Sequence, residues 1–174
     1  MSTTLLISII GSDRVGLVAA AAGTLFDLGG NLSDTSFTLL GGGAEFTTVC
    51  DMLDDVAPEA VRGALAALPE LEGADIVVTA FALPKERAPT GATTHVIQVA
   101  GGDRPGLIAR LCEVLGEFEA NIVKLDAVRL TEGGTDRYEV NMSVWLPAAR
   151  ADSCLAAIQN TAGGLGLTCQ WRVA

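Results

Sequence analysis

Two stretches of this chain combine an aspartate, an arginine and a glycine at one spacing. Residues 11–18 read Gly-Ser-Asp-Arg-Val-Gly-Leu-Val, and residues 101–108 read Gly-Gly-Asp-Arg-Pro-Gly-Leu-Ile, an offset of 90 residues. Each follows an apolar, strand-like run and opens an apolar, helix-like run. The first N–H groups of a helix have no intrahelical partner and carry partial positive charge, so a small carboxylate can sit there. Gly16 has no side chain to block its approach. Asp13 can receive an ammonium group. Carboxylate-binding N–H groups beside an ammonium-binding aspartate are matched to a free amino acid. Asn31 and Asn121 follow the helix in each copy, where an amide can donate to the ligand carboxylate and accept from its ammonium.

Each residue also has an ordinary structural use. Asp13 and Asp103 suit helix N-caps. Arg14 and Arg104 suit a solvated surface. Asn31 and Asn121 suit the left-handed backbone after a helix. The duplicated combination is more specific than any single member. The candidate ligand-binding set is therefore Ser12, Asp13, Arg14, Val15, Gly16, Leu17, Asn31 and Asp34 in the first copy. In the second it is Gly102, Asp103, Arg104, Pro105, Gly106, Leu107 and Asn121.

The elements that must hold these residues are readable from periodicity. Leu5 to Ile10 is a buried strand, and Val18, Ala21, Leu25 and Leu28 lie on one helical face. Gly29-Gly30 stops that helix. Asn31 to Leu40 and Phe46 to Leu53 form a hairpin about Gly41-Gly42-Gly43. A second helix runs from Pro58 to Pro69, and Asp75 to Leu83 is a fourth strand. The second half repeats the order. His95 to Ala100 is the strand, Ile108, Leu111, Leu115 and Phe118 the helical face, Tyr138 to Val144 an alternating strand, and Ala148 to Ala162 the second helix. Pro105 falls where a helix's first turn tolerates it. Aligning Phe46 with Tyr138, an offset of 92, predicts a hairpin two residues longer in the second copy.

Strand, helix, strand, strand, helix, strand in each half predicts an α+β fold: two ferredoxin-like βαββαβ domains, antiparallel sheets with helices on one face. The expected domains are 1–83 and 92–174, joined by the linker 84–91, which carries two prolines and three charges. Modules this small bury limited apolar surface, so the halves are expected to pack on each other or on a second chain. The first helix, Val15 to Phe26, has no evident polar face, which favours a homodimer.

Lys plus Arg number 11 against 21 Asp plus Glu, a formal charge of −10 in 174 residues. No basic cluster is present to bind nucleic acid directly. Cys50, Cys112, Cys154 and Cys169 show no Cys-x-x-Cys pairing and His95 is the one histidine, so neither a zinc site nor any other metal is expected. Isolated cysteines and no visible signal peptide fit a cytoplasmic protein. The Gly-x-x-x-x-Gly at 11–16 lacks the Lys-[Ser/Thr] of a P-loop. No apolar run reaches membrane-spanning length. No cofactor is expected.

At Asp-Arg-x-Gly-Leu after a strand, with Asn following the helix, both halves resemble the ACT domain family. The resemblance implies ferredoxin-like modules that bind amino acids at paired interfaces and regulate an enzyme or partner. Asn31-Leu32-Ser33-Asp34-Thr35-Ser36, then Leu40-Gly41, then Glu45-Phe46-Thr47 resemble the tandem-ACT transcriptional repressors of the glycine cleavage system. That likeness implies a regulator acting through a protein partner, with a small amino acid of the glycine or serine class as ligand and no catalysis. Val15 stands in place of the usual proline, and Lys124 stands where Asp34 does in the first copy. The first site is expected to be the stronger, because Asp34 adds a carboxylate. Two other readings stay open: a small enzyme using Asp13 or Asp103 as general base, and a ligand-free assembly module.

Overall fold

The computed structural model describes residues 3–53, 56–132 and 135–174, with side chains at 132, 135 and 136 left aside. The chain divides into two compact units, Met1–Leu83 and Pro84–Ala174. In the first unit β1 (Thr3–Ser12) leads to α1 (Leu17–Asp27), β2 (Gly30–Leu40), β3 (Gly43–Met52), α2 (Pro58–Ala66) and β4 (Asp75–Ala80). The second unit repeats this as β5 (His95–Gly102), α3 (Leu107–Glu117), β6 (Asn121–Glu132), β7 (Thr135–Trp145), α4 (Ala151–Gly164) and β8 (Thr168–Val173). Each sheet is antiparallel, ordered β2-β3-β1-β4 and β6-β7-β5-β8. This is the expected pair of ferredoxin-like domains.

Alternation decides which face of each sheet is covered. Leu5, Ile7 and Ile9 of β1 and Ala44, Phe46, Cys50 and Met52 of β3 are buried against Leu17, Ala21 and Leu25 of α1 and Val61 and Leu65 of α2. Ile97 and Val99 of β5 and Val140, Met142 and Val144 of β7 meet Leu107, Leu111 and Leu115 of α3 in the same way. Removing these side chains from water is the main favourable term holding each unit together. The first core contains one buried polar side chain, Thr48, whose hydroxyl is 2.7 Å from that of Thr35 on β2. An unmet hydroxyl there would cost free energy, and this contact satisfies it.

α1 buries a stripe of Leu17, Ala21 and Leu25, so Leu17 takes the place expected of Val18, Leu28 is half-buried, and other apolar residues of the helix are not covered within the described structure. Phe26 is 75% exposed and Val18 37%.

The register corrects the expected hairpin length. Gly11 lies opposite Ala44, whereas its counterpart Gly101 lies opposite Tyr138. The equivalence along β3 is therefore Ala44 to Tyr138, 94 residues apart, against 90 along β1. Along β2 the offset stays at 90, because Leu39 faces Ala44 and Arg129 faces Tyr138. The second hairpin is thus four residues longer, two on each arm, and Phe46 corresponds to Val140. Side chains alternate with a period of two, so a slip of two preserves the pattern of inside and outside and escapes a sequence reading. Both hairpins keep a bulge at one place, where Ser33 and Asp34 oppose Val49 and where Val123 and Lys124 oppose Ser143.

Candidate functional site

The repeated phrase forms a strand, a tight turn and a helix in each unit. In the first, the Leu17 N–H donates to the Arg14 carbonyl at 3.2 Å, and Gly16 sits between them at φ 91°, ψ −6°. In the second, Leu107 donates to Arg104 at 3.2 Å, with Gly106 at φ 78°, ψ 6°. A four-residue turn with positive φ at its third position is type II, which favours proline second and glycine third. Arg-Pro-Gly-Leu at 104–107 fills it accordingly. Glycine is required here by backbone conformation, since a Cβ at either glycine would meet nothing within 4 Å.

This geometry overturns the capping reading. The residue capping α1 is Gly16 and that capping α3 is Gly106, and neither helix has a side-chain cap bond. Asp13 and Asp103 precede the turn, so they are not N-caps, and Pro105 lies in the turn before the helix begins. The Pro-Gly dipeptide was the signal that would have shown this. Gly11 and Gly101, each next to last in its strand, are glycine for steric reasons. A Cβ on Gly11 would approach Ala74 Cβ to 2.8 Å, and one on Gly101 would approach Leu167 Cδ2 to 2.4 Å.

The arginines and aspartates then part ways. Arg14 Nη1 donates to the Pro69 carbonyl at 2.5 Å and lies 3.7 Å from Glu72, so it is tied to the short 3-10 turn Pro69–Leu71 instead of being solvated. Arg104 is exposed and has no hydrogen-bond or ionic partner among the described residues. Asp13 is likewise exposed and without such a partner among the described residues. Asp103 accepts a charge-assisted hydrogen bond from Nη2 of Arg129, on β6. Sequence reasoning missed Arg129, because a lone arginine on an alternating strand carries no local signal. Its counterpart by register is Leu39, which is exposed.

A pocket of about 380 Å³ opens at the second turn, lined by residues 103–109 together with Arg129 and Tyr138. It gathers five of the expected residues, Asp103, Arg104, Pro105, Gly106 and Leu107. Ile108 and Ala109 also line it, and their N–H groups fall in the first turn of α3, where a helix lacks acceptors of its own. Gly102 and Asn121 are not among its lining residues. Asn121 donates through Nδ2 to the Thr90 carbonyl at 2.9 Å, binding the start of β6 to the 3-10 turn Pro89–Gly91. Asn31 is the second residue of β2, opposite Asp51, and Ser12 ends β1 opposite Gly43. Asp34 lies at the β2 bulge, and Lys124 at the matching place pairs with Asp126 at 2.8 Å.

A second polar cluster lies on each sheet. Ser8, Glu45 and Thr47 of the first unit correspond by register to Gln98, Glu139 and Asn141 of the second. Gln98 and Asn141 donate to Glu139 at 2.5 and 3.3 Å, and the two hydrogen bonds, Gln98's foremost, hold its carboxyl below the ordinary carboxylate range. Burial pushes the Cys50, Cys154 and Cys169 thiols up, with the charge of Asp51 adding to the effect at Cys50. No cluster able to hold a metal ion occurs among the described residues, and no described helix is long and apolar enough to cross a membrane.

Residues 93–135 match the family model of the ACT domain. Over the whole chain the fold is similar to that of an unknown protein from Galdieria sulphuraria, at TM-score 0.78 and 20% identity, covering 100% of this chain and 99% of that one. It is also similar to a protein provisionally assigned as a glycine cleavage system transcriptional repressor, at TM-score 0.67 and 12% identity, covering 100% and 98%. No curated protein is similar enough in sequence to count as a match. The matched stretch lies within the second unit, both units share one element order, and a tandem ACT architecture fits the fold.

Proposed function

We propose that the chain is a non-catalytic, amino-acid-binding regulator that acts through a protein partner on the transcription or metabolism of amino acids. The observation that carries this reading is the duplicated strand–turn–helix, which in the second unit opens on a pocket with a carboxylate, guanidiniums and helix-start N–H groups. An α-amino acid needs those three kinds of partner. The shared fold with a provisionally assigned repressor supports the regulatory role, and the charge of −10 supports a protein partner over direct contact with DNA. Asp103 has no histidine to work with, since His95 stands at the opposite end of β5. The exposed apolar side chains of α1 support a homodimer, and the free cysteines support a cytoplasmic location. Residues 84–91 serve as the linker between the two domains.

A thermal-shift screen against the twenty amino acids tests the reading. A ligand that binds only the folded chain adds about 2.7 kcal/mol at ~100 times its Kd. The substitutions Asp13→Ala with Asn31→Ala, and separately Asp103→Ala with Asn121→Ala, then assign the sites by calorimetry. Loss of a charge-assisted contact weakens binding by roughly 1.5–3 kcal/mol, about ten- to a hundredfold or more. No shift with any amino acid refutes the reading.

A further inference from the structure

We infer that the second turn takes a dicarboxylic α-amino acid, of the L-aspartate or L-glutamate class, by exchanging an internal ion pair. The inference rests on the amino-acid reading above and narrows it. The charged lining of the pocket is Asp103, Arg104 and Arg129, one carboxylate against two guanidiniums. This excess of positive charge stands in a chain with nearly twice as many acids as bases, 21 against 11. A neutral zwitterion offers one ammonium and one carboxylate. It would match Asp103 and one arginine and leave the other guanidinium unmatched. A dicarboxylic amino acid offers an ammonium to Asp103 and a carboxylate to each arginine. Guanidinium suits this task, because its planar fork meets a carboxylate through two parallel hydrogen bonds.

The ion pair between Asp103 and Arg129 already brings together the two kinds of group the ligand would touch. Both side chains are partly in water, at 35% and 61% exposure, so the pair contributes little and opens easily. Opening it offers the ammonium site on the turn and a carboxylate site on β6. Arg104, without a partner among the described residues, supplies the second carboxylate site. The first turn lacks this arrangement. Leu39 stands at the place of Arg129, Ala44 at that of Tyr138, and Arg14 is held by Pro69 and Glu72. The charge excess is therefore a property of the second copy and not of the repeated motif.

The test is calorimetry on the full chain carrying Asp13→Ala and Asn31→Ala, so that the second turn reports. L-Aspartate, L-glutamate, L-asparagine, L-glutamine, L-serine, glycine and succinate are titrated. One of the two dicarboxylic amino acids is expected to bind at least about tenfold tighter than its amide, one charge-assisted contact's worth. Arg129→Leu should reduce that ratio to near one while leaving binding of the amide measurable. Equal affinity for acids and amides overturns the dicarboxylic inference and leaves the amino-acid reading standing. Succinate binding as tightly as L-glutamate shows that Asp103 stays with Arg129, and overturns the exchange. Failure of every amino acid to bind this variant and the unsubstituted chain overturns both.

Discussion

The two turns have the same backbone and different electrostatics. In each, a strand ends one residue after a glycine, a type II turn follows, and a helix starts one residue after a left-handed glycine. In the first, the aspartate is unpartnered among the described residues and the arginine is drawn away to the 3-10 turn after α2. In the second, the aspartate is paired across to β6 and the arginine beside it is left to the pocket. Duplicating a motif thus copies the conformation its glycines enforce, while charge is set by residues far away in sequence. Pro69 and Glu72 reach Arg14 across more than fifty positions, and Arg129 reaches Asp103 across 26.

If the scaffolds are equivalent, deletions in their cores should cost alike. Leu25→Ala and Leu115→Ala, at matching places in fully buried helix faces, should each destabilise their unit by about 2–5 kcal/mol in urea denaturation. A cost confined to one of them would break the comparison at its base. Next in size, Gly16→Ala and Gly106→Ala should each cost about 1–2 kcal/mol, because both glycines have positive φ. If either cost nothing, the turn would not need its left-handed residue. The comparison sharpens at the aspartates. Asp13→Ala should change stability by less than about 0.5 kcal/mol, since it neither caps α1 nor forms an ion pair. Asp103→Ala should cost at most about 1 kcal/mol, and the cost should shrink with added salt. A larger, salt-independent loss at Asp13 would restore the capping role denied to it here.

The smallest effect concerns acid. Hydrogen bonds hold the Glu139 carboxyl below its ordinary range, so its folded-state pKa lies under the unfolded one. Its contribution is present above the unfolded value and is lost as pH falls through the folded one. Gln98→Leu should return the carboxyl toward the ordinary range, read by NMR titration of its carbon, and the stability difference from the parent should vanish in acid. An unmoved titration would show that Gln98 does not act on Glu139.

Most of the scaffold was legible because each element buries one face. The three-four-three spacing of Val18, Ala21, Leu25 and Leu28 marked α1, and alternation from Tyr138 to Val144 marked β7. The turn was misread because an aspartate before a helix suggests a cap. Two nearby signals, the cap and the Pro-Gly turn, competed for the same residues, and backbone conformation decided for the turn. Within the candidate site, the contiguous residues 103–107 were legible and their partners Arg129 and Tyr138 were not. Those two lie on neighbouring strands of a hairpin whose register depends on the length of its arms, and a single sequence with period-two alternation does not reveal a shift by two.

That hairpin has a consequence of its own. Its extra four residues amount to one whole pleat on each arm. An insertion of odd length would have turned β7 over and sent Val140, Met142 and Val144 toward solvent. An even difference keeps the interior code of the strand intact while the second copy has the longer outer limb. Two copies of a repeat can in this way differ in how far their hairpins reach, and neither has to rebuild its interior.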